Sequence, residues 1–207
     1  MQSALLLPLM AFAVASSITP GPNNLMLLAS GANYGFRRTV PHILGVGLGF
    51  IVMMVIAGLG VGQMLQASPR FYTGLRVISL LYMAWLAWRI ATSGPVDSSR
   101  DSPRARPMTF VQAVLFQWVN PKAIAMALAA IATYTDPTRY AASLLWVALV
   151  FGSINLPCVS VWAGFGVALR NWLKDPVKLR FFNVAMALLL IVSFLPLVKE
   201  LLGDISF

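Results

Sequence analysis

The sequence predicts an all-α membrane protein with six transmembrane helices joined by short loops. Of its 207 residues, 59% are hydrophobic and 10% are charged, whereas an ordinary soluble domain carries roughly 25% charged residues. The mean hydropathy is +0.80. A spanning helix needs about 20 apolar residues, so the chain has room for about six. This composition excludes a soluble globular fold, and it excludes disorder, which requires low hydrophobicity and high net charge.

The first half of the chain contains three apolar segments. Segment one covers residues 3–32, segment two covers 39–65 and segment three covers 71–91. No Lys or Arg precedes Arg37, so the positive region that opens a cleaved signal peptide is missing. We therefore expect segment one to be retained as a helix. A stretch rich in Pro, Ser, Asp and Arg, residues 92–108, follows as a solvated linker.

The second half again contains three apolar segments. Segment four covers residues 109–134, segment five covers 139–169 and segment six covers 179–202. The single cysteine, Cys158, lies within segment five. One cysteine excludes an internal disulfide and a metal site built from several cysteines.

The basic residues predict an orientation. The net charge is +9, and the basic residues lie between apolar runs, so nucleic acid is not expected as a partner. Ten follow segments one, three and five, four lie on the opposite side, and Lys122 is set aside as intramembrane. By the positive-inside rule the ten-charge side is cytoplasmic, so both termini are expected outside. The ten are Arg37, Arg38, Arg89, Arg100, Arg104, Arg106, Arg170, Lys174, Lys178 and Arg180, and the four are Arg70, Arg76, Arg139 and Lys199.

An internal repeat relates the two halves at an offset of about 100 residues. Segments one and four each break near the middle at a proline, Pro20 and Pro121, and Gly49 and Gly152 follow at comparable places. With three spans in each half, the second half must run inverted, and proline-broken helices in such repeats point to a transporter site. The alternative is an accidental similarity between apolar helices. The predicted units are a first repeat (1–92), a cytoplasmic linker (93–108) and a second, inverted repeat (109–207) within one membrane domain.

The break in segment one is the first candidate site. Two prolines remove two backbone donors and clash with preceding carbonyls, so a continuous helix is disfavoured. The second proline suits the first turn of a restarting helix, whose positive end would face the break and can receive a carboxylate. We predict a substrate site here, and the alternative is a simple kink supported by the neighbouring polar side chains. The six residues are Thr19, Pro20, Gly21, Pro22, Asn23 and Asn24.

The break in segment four is the second candidate site. Asn120 followed by Pro121 is typical of a helix restart, with an N-cap and then a proline in the first turn. Lys122 lies roughly 20 Å into the segment at about 1.5 Å per residue, where a charge costs at least a few kcal/mol. It is expected to hold an anionic group of a substrate, or alternatively to bind carbonyls freed in segment one. Gln117 and Asn155 are candidate supporting residues, and Asn155 suits internal packing as well as ligand binding.

Two other features have structural interpretations. Gly45, Gly47 and Gly49 predict close helix packing. The packing is either within one chain or between copies, and a homo-oligomer is therefore one of the two alternatives. His42 is expected to be an interfacial side chain rather than a proton carrier.

The sequence lacks the motifs of an enzyme. Each Asp or Glu lies in a loop or at the end of an apolar segment, as Glu200 does in segment six. There is no Walker A motif, paired carboxylate set or His-rich metal set. We therefore predict no catalytic residues, no metal site and no cofactor.

Taken together, these motifs resemble the lysine exporter family of amino-acid efflux proteins. Residues 18–24, 35–37 and 45–50 carry the resemblance in the first half, and Asn120-Pro121-Lys122 carries it in the second. Residues 85–93 and the Pro-Gly-Pro-Asn-Asn element are more loosely similar to the branch that exports cysteine and O-acetylserine. The resemblance implies export of an amino acid or close derivative across a bacterial inner membrane, driven by the proton motive force.

The leading hypothesis is a secondary exporter that works by alternating access on a small-molecule substrate within the lipid bilayer. A non-transporting membrane scaffold, a small membrane enzyme and a channel are the alternatives. A scaffold should tolerate loss of Lys122, an enzyme should expose a reactive set of side chains, and a channel should conduct without saturation. The titratable candidates for a proton carrier within the apolar segments are His42 and Lys122.

Overall fold

All regular secondary structure in the described part of the chain is helical. A computed structural model describes residues 2–61 and 106–193, together with scattered positions between 74 and 92 and at 195 and 198. The described positions from 74 to 91 are also helical. The predicted all-α class is therefore confirmed over these residues. The seven continuous helices are α1 (Gln2–Ile18), α2 (Pro22–Tyr34), α3 (Phe36–Ile56), α4 (Phe110–Phe116), α5 (Pro121–Tyr134), α6 (Tyr140–Leu169) and α7 (Pro176–Ser193).

The described helices include two to four candidate membrane spans. Phe36–Gly60 and Pro137–Leu169 are each long and apolar enough to cross a bilayer alone. Two further pairs count as one bent span each: Leu5–Ile18 with Pro22–Tyr34, and Phe110–Val119 with Pro121–Tyr134. Most of the predicted linker, the end of segment two and parts of segments three and six lie outside the described residues, so the six-span arrangement stays a prediction.

Both predicted interruptions are present. α1 and α2 meet at 56° and the α4–α5 pair meets at 70°. α2 restarts with Pro22 in its first turn after an extended Gly21. α5 restarts with Pro121 in its first turn after Asn120, whose side chain caps the helix. The bends follow from proline chemistry, because a proline can open a helix but cannot pair with a preceding turn.

Two helices begin earlier than the hydrophobic pattern predicts. α3 begins at Phe36 rather than at residue 39, so Arg37 and Arg38 occupy its first turn instead of a loop. α7 begins at Pro176 rather than at 179, because the Asp175 carboxylate accepts from the Val177 amide at 2.9 Å. Hydrophobicity locates the apolar part of a helix, whereas its backbone begins at a cap. The cap is the Asp175 side chain for α7 and the positive-φ Gly35, without a side-chain bond, for α3.

α6 packs directly against α1, α2 and α3. Its closest approach to α2 depends on two glycines: a Cβ at Gly31 would collide with the Ala163 carbonyl oxygen, and one at Gly166 would collide with the Leu28 carbonyl oxygen. Small residues let two backbones come into direct contact inside a membrane. The α2–α6 contact therefore fixes the second half-helix of the first break against a long, apolar helix.

The predicted glycines of segment two also serve packing within the chain. A Cβ at Gly45 would lie 2.6 Å from the Ala113 Cβ, and one at Gly49 would lie 2.7 Å from the Val114 Cα. Both glycines thus let α3 approach α4. These contacts hold the α4–α5 break beside α3.

His42 is buried, and its prediction as an interfacial side chain is wrong. The residue is 1% exposed, and neither ring nitrogen has a hydrogen-bond partner among the described residues. The buried face of α3 includes Thr39, His42, Val46 and Gly49, which are spaced as one side of a helix. His42 is buried because it lies on the face of α3 that packs against the rest of the protein, although it follows Arg37 and Arg38 closely in the sequence.

Candidate functional site

The two helix breaks touch each other through Lys122. Its Nζ donates to the Thr19 carbonyl oxygen at 2.7 Å, to Thr19 Oγ1 at 2.9 Å and to the Pro20 carbonyl oxygen at 3.3 Å. Lys122 belongs to the first turn of α5, whereas its three acceptors follow the last residue of α1. The alternative reading of Lys122, in which it binds carbonyls of segment one, describes its contacts in this structure.

The sequence position of Lys122 predicts an unfavourable electrostatic environment, but the observed location of its ammonium group is favourable. A cation in the first turn of α5 faces the positive end of that helix's dipole. The Lys122 side chain instead carries its charge to the end of α1, where carbonyl oxygens have no partner within their own helix and carry partial negative charge. The broken end of one span therefore stabilises the charge that the other span supplies.

The carbonyls released by the first break find partners, as the sequence requires. The Ser16 oxygen accepts from Thr19 Oγ1 at 2.9 Å, and the Ile18 oxygen accepts from the Trp162 indole N–H at 3.1 Å. Trp162 lies on α6, so the break is tied to a neighbouring helix. Sequence reasoning missed this contact, because no pattern around Trp162 distinguishes it from an interface tryptophan.

Asn24 closes the first break from within. Its Nδ2 donates to the Ser17 carbonyl oxygen at 2.7 Å and to the Thr19 carbonyl oxygen at 2.8 Å, and the residue is buried. Because both amide hydrogens are used, Asn24 holds the shape of the break. It is less available to donate to a ligand than the sequence prediction implied.

Asn23 and Gln117 form a second joint between the two breaks. Asn23 Nδ2 donates to Gln117 Oε1 at 2.8 Å, and Gln117 Nε2 donates to the Ala113 carbonyl oxygen at 2.7 Å. Gln117 is fully buried. A buried amide pair of this kind stabilises only when its groups are satisfied, so this joint also fixes the relative position of α2 and α4.

Asn120 performs the predicted capping role. Its side-chain oxygen accepts from the Lys122 amide at 3.2 Å, and its carbonyl oxygen accepts from the Ile124 amide at 3.1 Å. The residue is buried. Capping at this point directs the Lys122 backbone and thereby sends its side chain across to the first break.

A small cavity of about 20 Å³, with room for about one water molecule, lies where the breaks meet. Six predicted site residues line it, namely Gly21, Asn23, Asn24, Asn120, Lys122 and Asn155. The other predicted residues, Thr19, Pro20, Pro22, Gln117 and Pro121, are not part of its lining and instead position those that are. The lining also includes Ser16, Ser17, Phe50, Ala123, Met126 and Val159, which the sequence prediction did not name as ligand-contacting residues.

Of the lining residues that the sequence prediction missed, the two serines could have been recognised from the sequence and the large apolar side chains could not. Ser16 and Ser17 directly precede the break, so two small hydroxyl side chains in a row were an available sign. Phe50, Met126 and Val159 look like any other apolar side chain of a membrane helix. Only the packing of their helices brings them to the cavity.

The cavity is positively charged and rich in neutral polar groups. Among its lining residues Lys122 carries a charge at neutral pH, and none is acidic. Asn155 donates through Nδ2 to Ser17 Oγ at 3.0 Å, while its buried Oδ1 has no partner in the described structure. The described residues contain no group of three His, Cys, Asp or Glu side chains able to hold a metal ion. The arrangement suits a small polar ligand that carries a carboxylate.

Comparison with known proteins assigns this architecture to a family. The sequence profile described as LysE type translocator matches residues 14–198, a range that includes both breaks. The cysteine/O-acetylserine efflux protein of Escherichia coli O139:H28 (strain E24377A / ETEC) is 32% identical over 195 residues, covering 92% of this chain and 96% of the relative. The protein of the same name from E. coli K12 is 31% identical with the same coverage.

A further relative extends the comparison beyond E. coli. The cysteine/O-acetylserine efflux protein of Klebsiella pneumoniae subsp. pneumoniae is 31% identical over 164 residues, covering 79% of this chain and 82% of that protein. No solved structure shows a significant match to the chain.

Proposed function

Because the chain belongs to the LysE family of translocators, we propose that it is a secondary exporter that moves amino acids or close derivatives out of the cytoplasm. The family makes it a multi-pass membrane transporter rather than an enzyme. The relatives are named for cysteine and O-acetylserine efflux. Small neutral α-amino acids are therefore the first substrates to test.

One observation carries this proposal: two proline-broken helices meet in a single polar cavity inside an apolar bundle. Irregular backbone is tolerated at membrane depth only where protein buries it or where it lines a wet cavity. An ionisable side chain in such a position is a functional site by default. Here Lys122 supplies the charge, and neutral polar side chains line the small cavity beside it.

We assign the substrate contacts as follows. Lys122 holds the substrate carboxylate, and Asn23, which is partly exposed at the cavity, donates a hydrogen bond to it. Asn24, Asn120, Pro22 and Pro121 shape the breaks rather than bind the substrate directly.

The proposed architecture is two inverted three-span repeats, residues 1–92 and 109–207, joined by the linker 93–108. Two reciprocal contacts between α3 and α6 support it. Leu156 packs over Gly47, and Ile51 packs over Gly152. One offset of 105 residues relates both pairs, from 47 to 152 and from 51 to 156, as a two-fold relation between the repeats requires.

In this architecture the second span of each half packs on the broken span of the other half. α3 contacts α4, and α6 contacts α2. Rocking of one repeat against the other would open the cavity to either side in turn, which is alternating access. We place the protein in the bacterial inner membrane, with both termini outside and with the proton motive force as the driving force.

The test of this function is uptake of labelled L-cysteine and L-serine into everted membrane vesicles, with and without a proton gradient. We expect saturable uptake that depends on the gradient and exceeds that of vesicles lacking the protein. Uptake without saturation would indicate a channel. No uptake across a broad panel of neutral amino acids would overturn the proposal.

A further inference from the structure

The ammonium group of Lys122 lies among oxygen acceptors that would serve another ammonium group equally well. Its three acceptors are the Thr19 carbonyl oxygen, Thr19 Oγ1 and the Pro20 carbonyl oxygen. A primary ammonium carries three donors and no acceptor, and this cluster offers three oxygens without an acidic group. The cluster is thus matched to the chemistry of –NH₃⁺ rather than to lysine as such.

The cavity that Lys122 lines, next to the Thr19–Pro20 oxygens, holds another acceptor that lacks a donor. Asn155 is 5% exposed and lines the cavity, and its Oδ1 has no hydrogen-bond partner. A buried acceptor of this kind costs free energy unless a ligand or water satisfies it. Its Nδ2 is fixed by Ser17 Oγ, so the orientation of the amide is set by the protein. A ligand that donates hydrogen bonds would relieve the deficit.

We propose that the Thr19 and Pro20 oxygens, together with Asn155 Oδ1, form the subsite for the α-ammonium of the substrate. In this structure the Lys122 ammonium contacts the Thr19 and Pro20 oxygens of this subsite but not Asn155 Oδ1. An incoming substrate draws Lys122 to its own carboxylate and places its α-ammonium on the vacated oxygens. This inference rests on the proposed function, because it assigns the second half of the same substrate.

Charge explains why the exchange requires both groups of an amino acid. Two ammonium groups cannot share the Thr19–Pro20 oxygens, because like charges at contact distance repel. A simple amine would have to displace Lys122 without offering it a new anion. A simple carboxylic acid would draw Lys122 away and leave the carbonyl oxygens without a cation. A zwitterion satisfies both sides and leaves the net charge of the cavity unchanged.

Gly21 provides the space that this movement needs. A Cβ at this position would lie 2.6 Å from Lys122 Cδ and 3.1 Å from its Nζ. Since the backbone of Gly21 is extended, the residue is required for room rather than for an unusual backbone angle. The lysine stem therefore passes over the break through a gap left by the absent side chain.

The first experiment compares four related compounds as competitors of labelled L-cysteine uptake in everted vesicles under reducing conditions. Unlabelled L-cysteine carries both the ammonium and the carboxylate. N-acetyl-L-cysteine and 3-mercaptopropionate lack the ammonium, and cysteamine lacks the carboxylate. We expect each incomplete compound to compete at least about tenfold more weakly than L-cysteine, because each loses charge-assisted hydrogen bonds. Equal competition by N-acetyl-L-cysteine would overturn the ammonium subsite.

The second experiment looks for a gain of binding. In Lys122→Met the oxygens lose their resident ammonium, so cysteamine should bind purified protein in lipid nanodiscs at least about tenfold more tightly than it binds the wild type. Lys178→Met, which changes an exposed lysine beside Trp172, should leave cysteamine binding at the wild-type level. Unchanged cysteamine binding in folded Lys122→Met protein would contradict the proposal.

A second variant covers the case in which Lys122→Met does not fold. Asn155→Ala removes one acceptor and should weaken L-cysteine binding several-fold while leaving the weak binding of 3-mercaptopropionate unchanged. Asn171→Ala at an exposed position is the matched control. Equal losses for both compounds would show that Asn155 is merely structural. Wild-type L-cysteine uptake without ammonium discrimination would reject the subsite alone, whereas absence of amino-acid uptake would reject the exporter itself.

Discussion

The charge of Lys122 is unfavourable at the start of α5 but favourable beside the oxygen acceptors that follow α1. Its sequence position places a cation at the start of a helix within an apolar segment, where both the bilayer and the dipole of α5 oppose it. Its ammonium contacts lie at the far end of α1, 102 and 103 residues away along the chain. In this structure the residue therefore stabilises the contact between the two breaks.

We predict that Lys122→Ala abolishes transport and leaves folded protein in the membrane. The variant loses the carboxylate contact, and a hydrogen bond to a charged group contributes about 1.5–3 kcal/mol, or roughly a 10- to 100-fold loss. Vesicle uptake normalised to protein abundance measures the effect, with Lys178→Ala as the control. Normal export by Lys122→Ala at normal abundance would remove Lys122 from the mechanism.

Gly21 gives a second prediction at the residue scale. Gly21→Ala places a methyl group against the Lys122 stem, so the side chain must shift and the KM for substrate should rise several-fold. Gly164→Ala is the matched control, because among the described residues no atom outside its own stretch of helix lies within 4 Å of the Cβ it adds. Equal KM values for Gly21→Ala and wild type would show that the lysine path tolerates a side chain.

At the scale of elements, the break in the first span is the feature that transport should require. We predict that replacing Pro20 and Pro22 together with alanine impairs uptake several-fold, since both prolines deny the backbone donors that would continue α1 into α2. Pro8→Ala, in the body of α1, should not impair it. Unchanged uptake by the double variant would show that transport does not depend on the break.

The contact between α2 and α6 yields a prediction about stability. Gly166→Ala forces a methyl group into the Leu28 carbonyl, and overpacking of this kind costs about 1–3 kcal/mol. Gly164→Ala on the same helix has open space and should be neutral or stabilising by about 0.4–1 kcal/mol. Thermal unfolding of both purified variants compares them, and equal melting temperatures would contradict the close approach.

For the whole molecule, the orientation is the testable consequence of the charge pattern. With both termini outside, a periplasmic phosphatase fused after residue 207 should be active, and one fused within the linker 93–108 should be inactive. A fluorescent protein that folds only in the cytoplasm should give the opposite pattern. Active phosphatase at the linker would invert the assignment and the sidedness of export with it.

The breaks could be predicted and the burial of His42 could not, because the breaks depend on local chemistry whereas the burial depends on tertiary packing. Pro22, Asn120 and Pro121 act on the backbone within one or two helical turns, so the helix breaks can be predicted from these residues alone. The burial of His42 depends on which face of α3 meets the rest of the bundle. No local chemistry specifies that face, and both ring nitrogens end without a partner among the described residues.

The sequence by itself determined the helical membrane class, the places where two spans break and the residue types available at those breaks. These properties follow from hydrophobicity summed over a segment and from backbone chemistry, both of which act locally. The tertiary structure alone decided that Lys122 reaches Thr19, that Asn23 pairs with Gln117 across 94 residues, and that Phe50 and Val159 line the cavity. Such contacts join distant parts of the chain, and they exist only because glycine-mediated packing of α2, α3, α4 and α6 brings the two breaks together.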